Sequence, residues 1–322
     1  MRPKLFLSIY LGVVCSTSLF WLIFIFIKIV PNTLINGEPY YKNYGGRLRA
    51  EIQDQDLFLN NIDHVIDEVK EADIVILGPS FSSFAFDQSI LNRFQEKYHI
   101  KIFNMSFIGI RGGEFSRILI NKWSLRPKLW VINTDSQFTP FFSDSVELTL
   151  AGPGQPIAPL SYGFLTSYIG VRLRALRWHY QDLRFNNSSQ YTYLYRGVRN
   201  GDVTPLNENF YKTNPGIKFA NLYNCGATEA QTKKQISYAK KFIKDADGEV
   251  VLTLVPHSEA CLTQANELSH RLNVPLITPV FDGFTSWDNG GHLDKNGAVK
   301  FTEEFLSLLE SSDSFQQAIL RH

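Results

Sequence analysis

A serine, an acid and a histidine that lie far apart in the chain are the residues whose types could together perform acyl chemistry. Ser80 ends a Gly-Pro-Ser turn that directly follows the apolar, strand-like run 73–77. Asp288 and His292 come near the other end of the chain. A serine hydroxyl is a poor nucleophile at neutral pH, so it needs an imidazole to take its proton and a carboxylate to orient that imidazole. The three groups therefore predict nucleophilic acyl transfer, although Ser80 could also simply cap the helix that follows it.

The spacing before the histidine leaves the orienting residue open. Asp288 is the fourth residue before His292, and Asn289 is the third. A carboxylate stabilises the imidazolium that forms during attack, whereas an amide only fixes the tautomer. We expect Asp288 to orient the imidazole, because the two glycines after Asn289 give the loop conformational freedom. Asn289 is the alternative.

Strand-like and helical patterns alternate along most of the chain. Strands are predicted at 73–77, 100–104, 129–133, 249–255 and 274–280. Amphipathic helices are predicted at 51–71, 87–98, 113–123, 227–246, 260–272 and 298–310. This alternation is typical of an α/β protein with a parallel sheet.

The segment 139–226 interrupts the alternation and is predicted to be an insertion packed over the sheet. It is rich in proline and contains one predicted helix, about 167–184. Six arginines and one aspartate lie between residues 151 and 200. A charged helix face is most often simply solvated, but this charge also suits an anionic glycan, lipid headgroups or a partner protein. Arg196 is accordingly a candidate substrate-binding residue, as are Asn104 and His257.

The N-terminus predicts a membrane anchor. Leu5 to Ile27 is a run of 23 residues without a charge, which as a helix would reach about 34 Å and span a bilayer core. Arg2 and Lys4 precede it, which favours a cytoplasmic N-terminus and a periplasmic or extracellular body. A cleaved signal peptide is the alternative, but no small-x-small site ends the run. We therefore expect a single-pass signal anchor at 1–30, with a linker at 31–50.

Composition excludes some classes of function. The net charge of +1 gives no global argument for nucleic acid. No Cys/His spacing is typical of a metal site, and no cofactor is expected. Of the three cysteines, Cys225 and Cys261 lie in the part predicted to be exported, where a disulfide is permitted. We expect these two to be bonded.

Four sequence blocks, in this order, resemble those of the SGNH/GDSL hydrolase superfamily. The family has a strand followed by Gly-Asp-Ser, then Asn-x-x-x-x-Gly, Gly-x-Asn-Asp and Asp-x-x-His. The blocks in this chain are Gly78-Pro79-Ser80, Asn104 to Gly109, Asp135-Ser136-Gln137-Phe138 and Asp288 to His292. Pro79 replaces the family's Asp, Gln137 stands where the family has Asn, and the acid is displaced by one residue.

The resemblance implies a fold and roles for individual residues. The fold would be a three-layer, flavodoxin-like SGNH-hydrolase domain over 51–322. Ser80 would be the nucleophile and His292 the base. The backbone N–H groups of Ser80 and Gly109, with the Gln137 amide, would form the oxyanion hole. The chain looks similar to the membrane-anchored D-alanyl transfer proteins of teichoic acid synthesis and to acyltransferases of exopolysaccharide acetylation.

The expected function is therefore that of a serine esterase or O-acyltransferase outside the cytoplasmic membrane. Its partner would be an acylated or acyl-accepting glycan, together with polysaccharide-assembly proteins. Water as the acceptor gives an esterase, and a sugar hydroxyl gives a transferase. The alternative is a catalytically inactive, membrane-tethered scaffold or glycan-binding subunit that kept the fold.

Overall fold

The computed structural model describes only part of the chain. The described residues are 10–20, 33–35, 38–44, 54–59, 61–108, 113–135, 137–138, 194–205, 216–219, 222–223, 229–288 and 290–321. The predicted helix at 167–184 lies outside them, as do Gly109, Cys225 and Asn289.

Eight strands and ten helices are assigned within these residues. The strands are β1 (Thr33–Ile35), β2 (Glu38–Tyr44), β3 (Ile74–Leu77), β4 (Ile102–Asn104), β5 (Leu129–Asn133), β6 (Leu194–Gly197), β7 (Val203–Pro205) and β8 (Glu249–Thr253). The helices are α1 (10–20), α2 (Asp54–Leu59), α3 (Val65–Lys70), α4 (Ser80–Ser83), α5 (Gln88–Tyr98), α6 (Glu114–Trp123), α7 (Glu229–Ala246), α8 (Leu262–Leu272), α9 (Lys295–Glu310) and α10 (Asp313–Phe315). A 3-10 turn spans Ile62–His64, and a π-helical turn spans Gln316–Leu320.

The centre of the protein is a four-stranded parallel sheet in the order β4-β3-β5-β8. A parallel bridge between Leu252 and Leu276 continues it beyond β8. The predicted strand 274–280 is reduced to this one bridge. The other four strands lie where the sequence predicts them, so the prediction of an α/β protein with a parallel sheet is confirmed.

Helices flank both faces of this sheet. In β3, Val75 and Leu77 face a core shared with α3, α6 and α7, whereas Ile74 and Ile76 face a core shared with α5 and α9. The alternation follows from the two-residue period of a strand. Because both faces are covered, every residue of β3 and β5 is buried, which explains why both are apolar apart from Asn133 at the end of β5.

A second, antiparallel sheet has the order β1-β2-β6-β7. Its first two strands come from the segment 31–50, which the sequence predicts as a linker. Its last two come from the end of the segment predicted as an insertion. The two contributions are distant in sequence and pair only in the tertiary structure. Each segment carries an Asn-Gly pair between its two strands, Asn36-Gly37 and Asn200-Gly201, which is typical of a hairpin turn. The local pattern does not predict the pairing of β2 with β6, which lie far apart in the sequence.

The turn between β6 and β7 joins the antiparallel sheet to the parallel one. The backbone N–H of Asn104, at the end of β4, donates to Asn200 O at 2.9 Å. Gly201 has a φ of +68°, and a Cβ there would lie 2.0 Å from Asn104 O. Only glycine allows this approach without strain. The antiparallel sheet is therefore fixed beside the carboxyl end of β4.

The single helix predicted at 51–71 is broken. Asn61, Asp63 and His64 have positive φ angles, and the Asn61 side chain accepts a hydrogen bond from Ile66 N at 2.7 Å. Asn and Asp side chains compete with the backbone in this way and tolerate the left-handed region. The apolar periodicity of the segment is real, but it is carried by α2 and α3 separately.

Within the described part of the chain, none of the helices combines the length and the apolar character that a bilayer crossing requires. The predicted span from Leu5 to Ile27 is described only at residues 10–20, which are helical and exposed. The rest of that span lies outside the described residues.

Candidate active site

Ser80 is placed at the carboxyl end of β3 by a tight turn. Gly78 is required there because a Cβ would lie 2.2 Å from Ser82 Oγ and 3.0 Å from Asn133 Cβ. Pro79 is the N-cap of α4, so Ser80 is the first residue of that helix. Its backbone N–H consequently has no acceptor within the helix. The hydroxyl and this N–H both lie at the edge of the sheet where the strands end.

Two buried asparagines hold the turn in place. Asn133, the last residue of β5, donates from Nδ2 to Ser82 Oγ at 2.9 Å. Asn104 donates from Nδ2 to Ser82 O at 3.4 Å and accepts from Ser106 N at 3.1 Å. The Asn104 amide, predicted to bind substrate, is therefore turned towards the protein. Sequence reasoning missed Asn133, although an asparagine that ends an apolar strand is a usable signal.

The loop Ser286–Leu293, here called the His292 loop, carries the acid and the histidine. An antiparallel bridge joins Ser286 to Leu293, and Gly290 N donates to Ser286 Oγ at 2.8 Å. Gly290 has a φ of +99°, and a Cβ on Gly291 would lie 2.8 Å from Asp288 Oδ2. Both glycines are therefore needed, the first for its backbone conformation and the second for space beside the carboxylate.

The residues after this loop anchor it to the core. Leu293 is fully buried, and Asp294 caps α9 by accepting a hydrogen bond from Gly297 N at 2.9 Å. A Cβ on Gly297 would lie 2.4 Å from Thr285 O. The glycine thus permits α9 to begin directly against the strand-like segment that precedes the loop, and the position of His292 is fixed from both sides.

The structure brings Ser80, His292 and Asp288 into one hydrogen-bonded chain. His292 Nε2 lies 2.9 Å from Ser80 Oγ, and His292 Nδ1 is hydrogen-bonded to Asp288 Oδ2. The other carboxylate oxygen of Asp288 accepts from the His292 backbone N–H. Because a carboxylate only accepts, the ring proton lies on Nδ1, and Nε2 is free to accept the serine proton.

Aromatic side chains enclose the histidine. Trp287 stacks on His292 with ring centroids 5.3 Å apart, and Phe84 meets the same ring edge-on at 5.1 Å. Phe84 and Trp287 also pack with Leu194 and Val203 of the antiparallel sheet. The antiparallel sheet therefore contributes an apolar wall next to the His292 imidazole, which the sequence did not predict.

A second histidine lies on the other side of Phe81. His257 follows β8, and its ring stacks on Phe81 with centroids 4.2 Å apart and planes 3° apart. Phe81 is in turn 5.2 Å from the His292 ring. His257 Nε2 is 3.7 Å from Asp135 Oδ2. The candidate substrate-binding residue His257 is thus brought close to the site, with Phe81 between it and His292.

Burial decides the charge of this second histidine. It lowers the pKa of His257 to about 4; the Glu259 charge opposes this shift, and the nearby His292 adds to it. His257 Nδ1 accepts from Glu259 N at 3.3 Å, which places the ring proton on Nε2. Above pH 5 the ring is neutral and presents an N–H donor.

The Gln137 side chain is directed elsewhere than predicted. Its amide donates to Ser116 Oγ in α6 at 2.9 Å, and the side chain is buried. The absence of a side chain at Gly113 lets Gln137 O approach the start of α6, because a Cβ there would lie 2.1 Å from that oxygen. Among the described residues, the hydrogen bond of this amide is to Ser116 and not to Ser80. Gly109, the other predicted oxyanion donor, lies outside them.

Arg196, which the sequence predicts to bind substrate, lies in the core of the protein. It is fully buried, and Nη2 donates to Asn104 O at 2.8 Å. Burial lowers its pKa, and the Asp54 and Asp202 carboxylates oppose that shift. The arginine thus binds β6 to the end of β4 from within the core. The sequence offers Arg196 as a substrate-binding residue because arginines are frequent in its segment, a pattern that does not show which of them is buried.

Cys261, the N-cap of α8, is disulfide-bonded, and Cys15 is free. The predicted partner of Cys261, Cys225, lies outside the described residues.

Comparison with known proteins gives no assignment: no family model, no curated protein and no solved structure matches the chain significantly.

Proposed function

We propose that this protein is a serine esterase or O-acyltransferase that acts on acyl groups, most simply acetyl groups, of cell-surface polysaccharide. The observation that carries the proposal is the hydrogen-bonded chain from Ser80 Oγ through His292 to Asp288. The three residues come from two turns separated by most of the sequence. Their order and contacts are those that activate a serine for attack on an ester.

The geometry supports a two-step reaction. Ser80 Oγ attacks the acyl carbon while its proton passes to His292 Nε2, and Asp288 stabilises the imidazolium. The carbonyl oxygen becomes an oxyanion, which the Ser80 N–H is placed to bind, with the Gly109 N–H expected beside it from the family resemblance. The imidazolium then protonates the leaving alcohol, and an acyl-serine remains.

The second step reverses these proton transfers. A water molecule or a sugar hydroxyl loses its proton to His292 Nε2 and attacks the acyl-serine. Ser80 leaves with the proton returned by the imidazolium. Water yields the free acid, and a sugar yields a new ester, so one site supports both outcomes.

The strand order supports the finer assignment to a flavodoxin-like, SGNH-type fold. Counting only the parallel strands along the chain, the order is 2-1-3-4, with the Leu276 bridge at the far edge. In sheets of this order, ligands bind outside the carboxyl ends of the strands where the winding reverses. The turn that carries Ser80 follows the strand at this reversal.

The proposal includes location outside the cytoplasmic membrane, with residues 1–30 as the anchor and a glycan and polysaccharide-assembly proteins as partners. The charge-free run from Leu5 to Ile27 motivates it. Protease added to intact spheroplasts is expected to digest the body of the protein. A body that stays protected until the cells are lysed contradicts this location.

A fluorophosphonate probe tests the catalytic part of the proposal. The full-length protein is expected to be labelled on Ser80, and both Ser80→Ala and His292→Ala are expected to lose labelling. Ser311→Ala, a change at an exposed serine after α9, is the matched control and is expected to be labelled like the wild type. Equal labelling of wild type and Ser80→Ala would remove Ser80 as the nucleophile.

One observation favours the alternative, a non-catalytic scaffold or glycan-binding subunit. The Gln137 amide, expected in the oxyanion hole, donates to Ser116. A site with one donor fewer stabilises the tetrahedral intermediate less well. Absence of labelling in a folded wild-type protein would make this the better description.

A further inference from the structure

His257 offers a hydrogen-bond donor that the triad chemistry does not use. The side chain is 3% exposed, and Nε2 has no hydrogen-bond partner among the described residues. Its proton is on Nε2 because Nδ1 accepts from Glu259 N. A buried donor without an acceptor costs free energy comparable to a lost hydrogen bond. A ligand that accepts a hydrogen bond from Nε2 would recover that free energy.

The donor belongs to the same cleft as the triad. The His257 ring stacks on Phe81, the residue next to the nucleophile. The following residue, Ser258, donates from its backbone N–H to Gly290 O in the His292 loop at 2.7 Å. The two histidine-bearing loops are thus directly bonded, and a group bound at His257 Nε2 lies one aromatic ring away from the reactive imidazole.

Asp135 supplies the complementary group. Its Oδ2 lies 3.7 Å from His257 Nε2, which is too long for a direct hydrogen bond. One oxygen atom at about 2.8 Å from each of the two atoms would hydrogen-bond to both. The side chain of Asp135 is 27% exposed, so the carboxylate reaches solvent beside the buried nitrogen, and a carboxylate accepts more than one hydrogen bond.

We infer that His257 and Asp135 bind a hydroxyl group of the substrate, the hydroxyl oxygen accepting from His257 Nε2–H and the hydroxyl proton going to Asp135 Oδ2. The inference rests on the proposed function and names its substrate class: a polyhydroxy compound with a free hydroxyl near the ester. A hydroxyl can accept and donate at once. A carboxylate or phosphate ligand would be repelled by Asp135, and an ether oxygen cannot donate to it.

A matched pair of esters tests this on the full-length protein. The probes are methyl 6-O-acetyl-glucopyranoside and its 2,3,4-tri-O-methyl ether, which share the same ester and differ only in free hydroxyls. Acetate release gives kcat/KM for each. The wild type is expected to prefer the free-hydroxyl sugar about tenfold, the factor that one hydrogen bond is worth.

The variants assign the preference to the pair. His257→Phe keeps a ring to stack on Phe81 but removes the donor, and Asp135→Ala removes the acceptor; each is expected to bring the preference close to one. His257→Gln retains an N–H and is expected to keep part of it. His270→Gln, at an exposed position in α8, is the control and keeps all of it. A preference that survives in His257→Phe, or a wild type without preference, overturns the inference and leaves only a bridging water between the two side chains.

A binding measurement separates this inference from the proposed function. If the wild type releases acetate from neither sugar, the proposed catalysis fails, and the hydroxyl pair is judged by ligand-observed NMR titration of the same two sugars. Weaker binding of the tri-O-methyl ether to wild type, but not to His257→Phe, supports the pair. Equal binding of both sugars, or binding of neither, overturns it.

Discussion

The His292 loop and the segment that carries His257 place the same side chain in two different environments on either side of Phe81. His292 is hydrogen-bonded to a carboxylate and is 19% exposed. His257 is nearly fully buried, and its nearest carboxylate is 3.7 Å from Nε2. The first environment puts a carboxylate in contact with the ring, whereas burial in the second lowers the pKa of His257 to about 4 and keeps that ring neutral.

The difference supports the separate roles proposed for the two histidines of this cleft. A general base must change its protonation state during the reaction, so it needs a charged partner in contact. A residue that only donates a hydrogen bond works best when its charge never changes. The proposed division of roles rests on direct contact with a carboxylate at His292 and on burial without such a contact at His257.

The largest expected effect comes from removing the charge next to His292. Asp288→Asn keeps the shape of the side chain but not its charge, and can present the wrong hydrogen-bonding group to Nδ1. We expect kcat on a simple acetyl ester to fall by about 10⁴, the scale found when a triad aspartate is replaced. Steady-state kinetics on purified full-length protein measures it.

Asn289→Ala is the neighbouring control for that change. Asn289 is the alternative orienting residue predicted from the sequence, and its loss is expected to cost much less. If Asn289→Ala lowered kcat more than Asp288→Asn, the orienting role would pass to Asn289. The carboxylate contact would then no longer distinguish the environment of His292 from that of His257.

The next effect concerns His257 and the pH dependence of stability. Its pKa is about 4 in the folded protein and near 6.5 in the unfolded chain. Between these values the unfolded chain binds more protons, so stability is complete above pH 6.5 and is lost as the pH falls towards 4. The full loss from this one group is about 3 kcal/mol.

Urea denaturation at several pH values between 7.5 and 4.5 measures this loss. His257→Gln lacks the titrating group, so its free energy of unfolding is expected to fall less steeply than that of wild type over this range. His270→Gln is the matched control and is expected to follow the wild type. Parallel curves for wild type and His257→Gln would mean that the buried, neutral state of His257 is wrong.

The smallest effect comes from crowding the carboxylate. In Gly291→Ala the new Cβ would lie 2.8 Å from Asp288 Oδ2, which pushes the carboxylate away from His292 Nδ1. We expect a fall in kcat of about tenfold to thirtyfold, because misplacement weakens an interaction that deletion removes. Steady-state kinetics of Gly291→Ala measures this fall.

The double variant Asp288→Asn/Gly291→Ala tests whether Gly291 acts through the carboxylate. Adding Gly291→Ala to Asp288→Asn is expected to lower kcat little further. Full additivity of the two effects would show that Gly291 acts through something other than Asp288.

Local sequence patterns predicted much of the parallel sheet and its helices. The apolar run LWVIN gave β5 with the bounds that the structure has, and α5 begins where Asp87 accepts hydrogen bonds from Ser89 N and Ile90 N. β5 is covered on both faces of the sheet, and α5 has a strong N-cap. Burial selects apolar residues and capping selects residues such as Asp, so both features can be recognised from the residue types in the sequence. The same holds for Ser80, whose turn requires Gly78.

Elements that depend on distant partners could not be predicted. The sequence predicts a linker at 31–50, whereas β1 pairs with β2 there, and β2 pairs with β6 about 150 residues away. Gln137 was placed in the oxyanion hole from its block alone, whereas space at Gly113 and a hydroxyl on Ser116 decide where its amide points. Arg196 is predicted to bind substrate but is fully buried, because local spacing does not show which arginine of several lies in the core.

The sequence by itself determined the parallel α/β architecture, because strand periodicity and glycine at crowded turns are local properties. It also determined the three residue types that meet at the edge of the sheet, because they lie in four blocks that can be recognised in order along the chain. The tertiary structure decided the rest. It selected Asp288 as the carboxylate in contact with His292, buried His257 beside Phe81 and Asp135, and brought an antiparallel sheet against Trp287. Each of these contacts joins surfaces that lie far apart in the chain. Which surfaces exclude water from one another is determined only when the whole chain has folded.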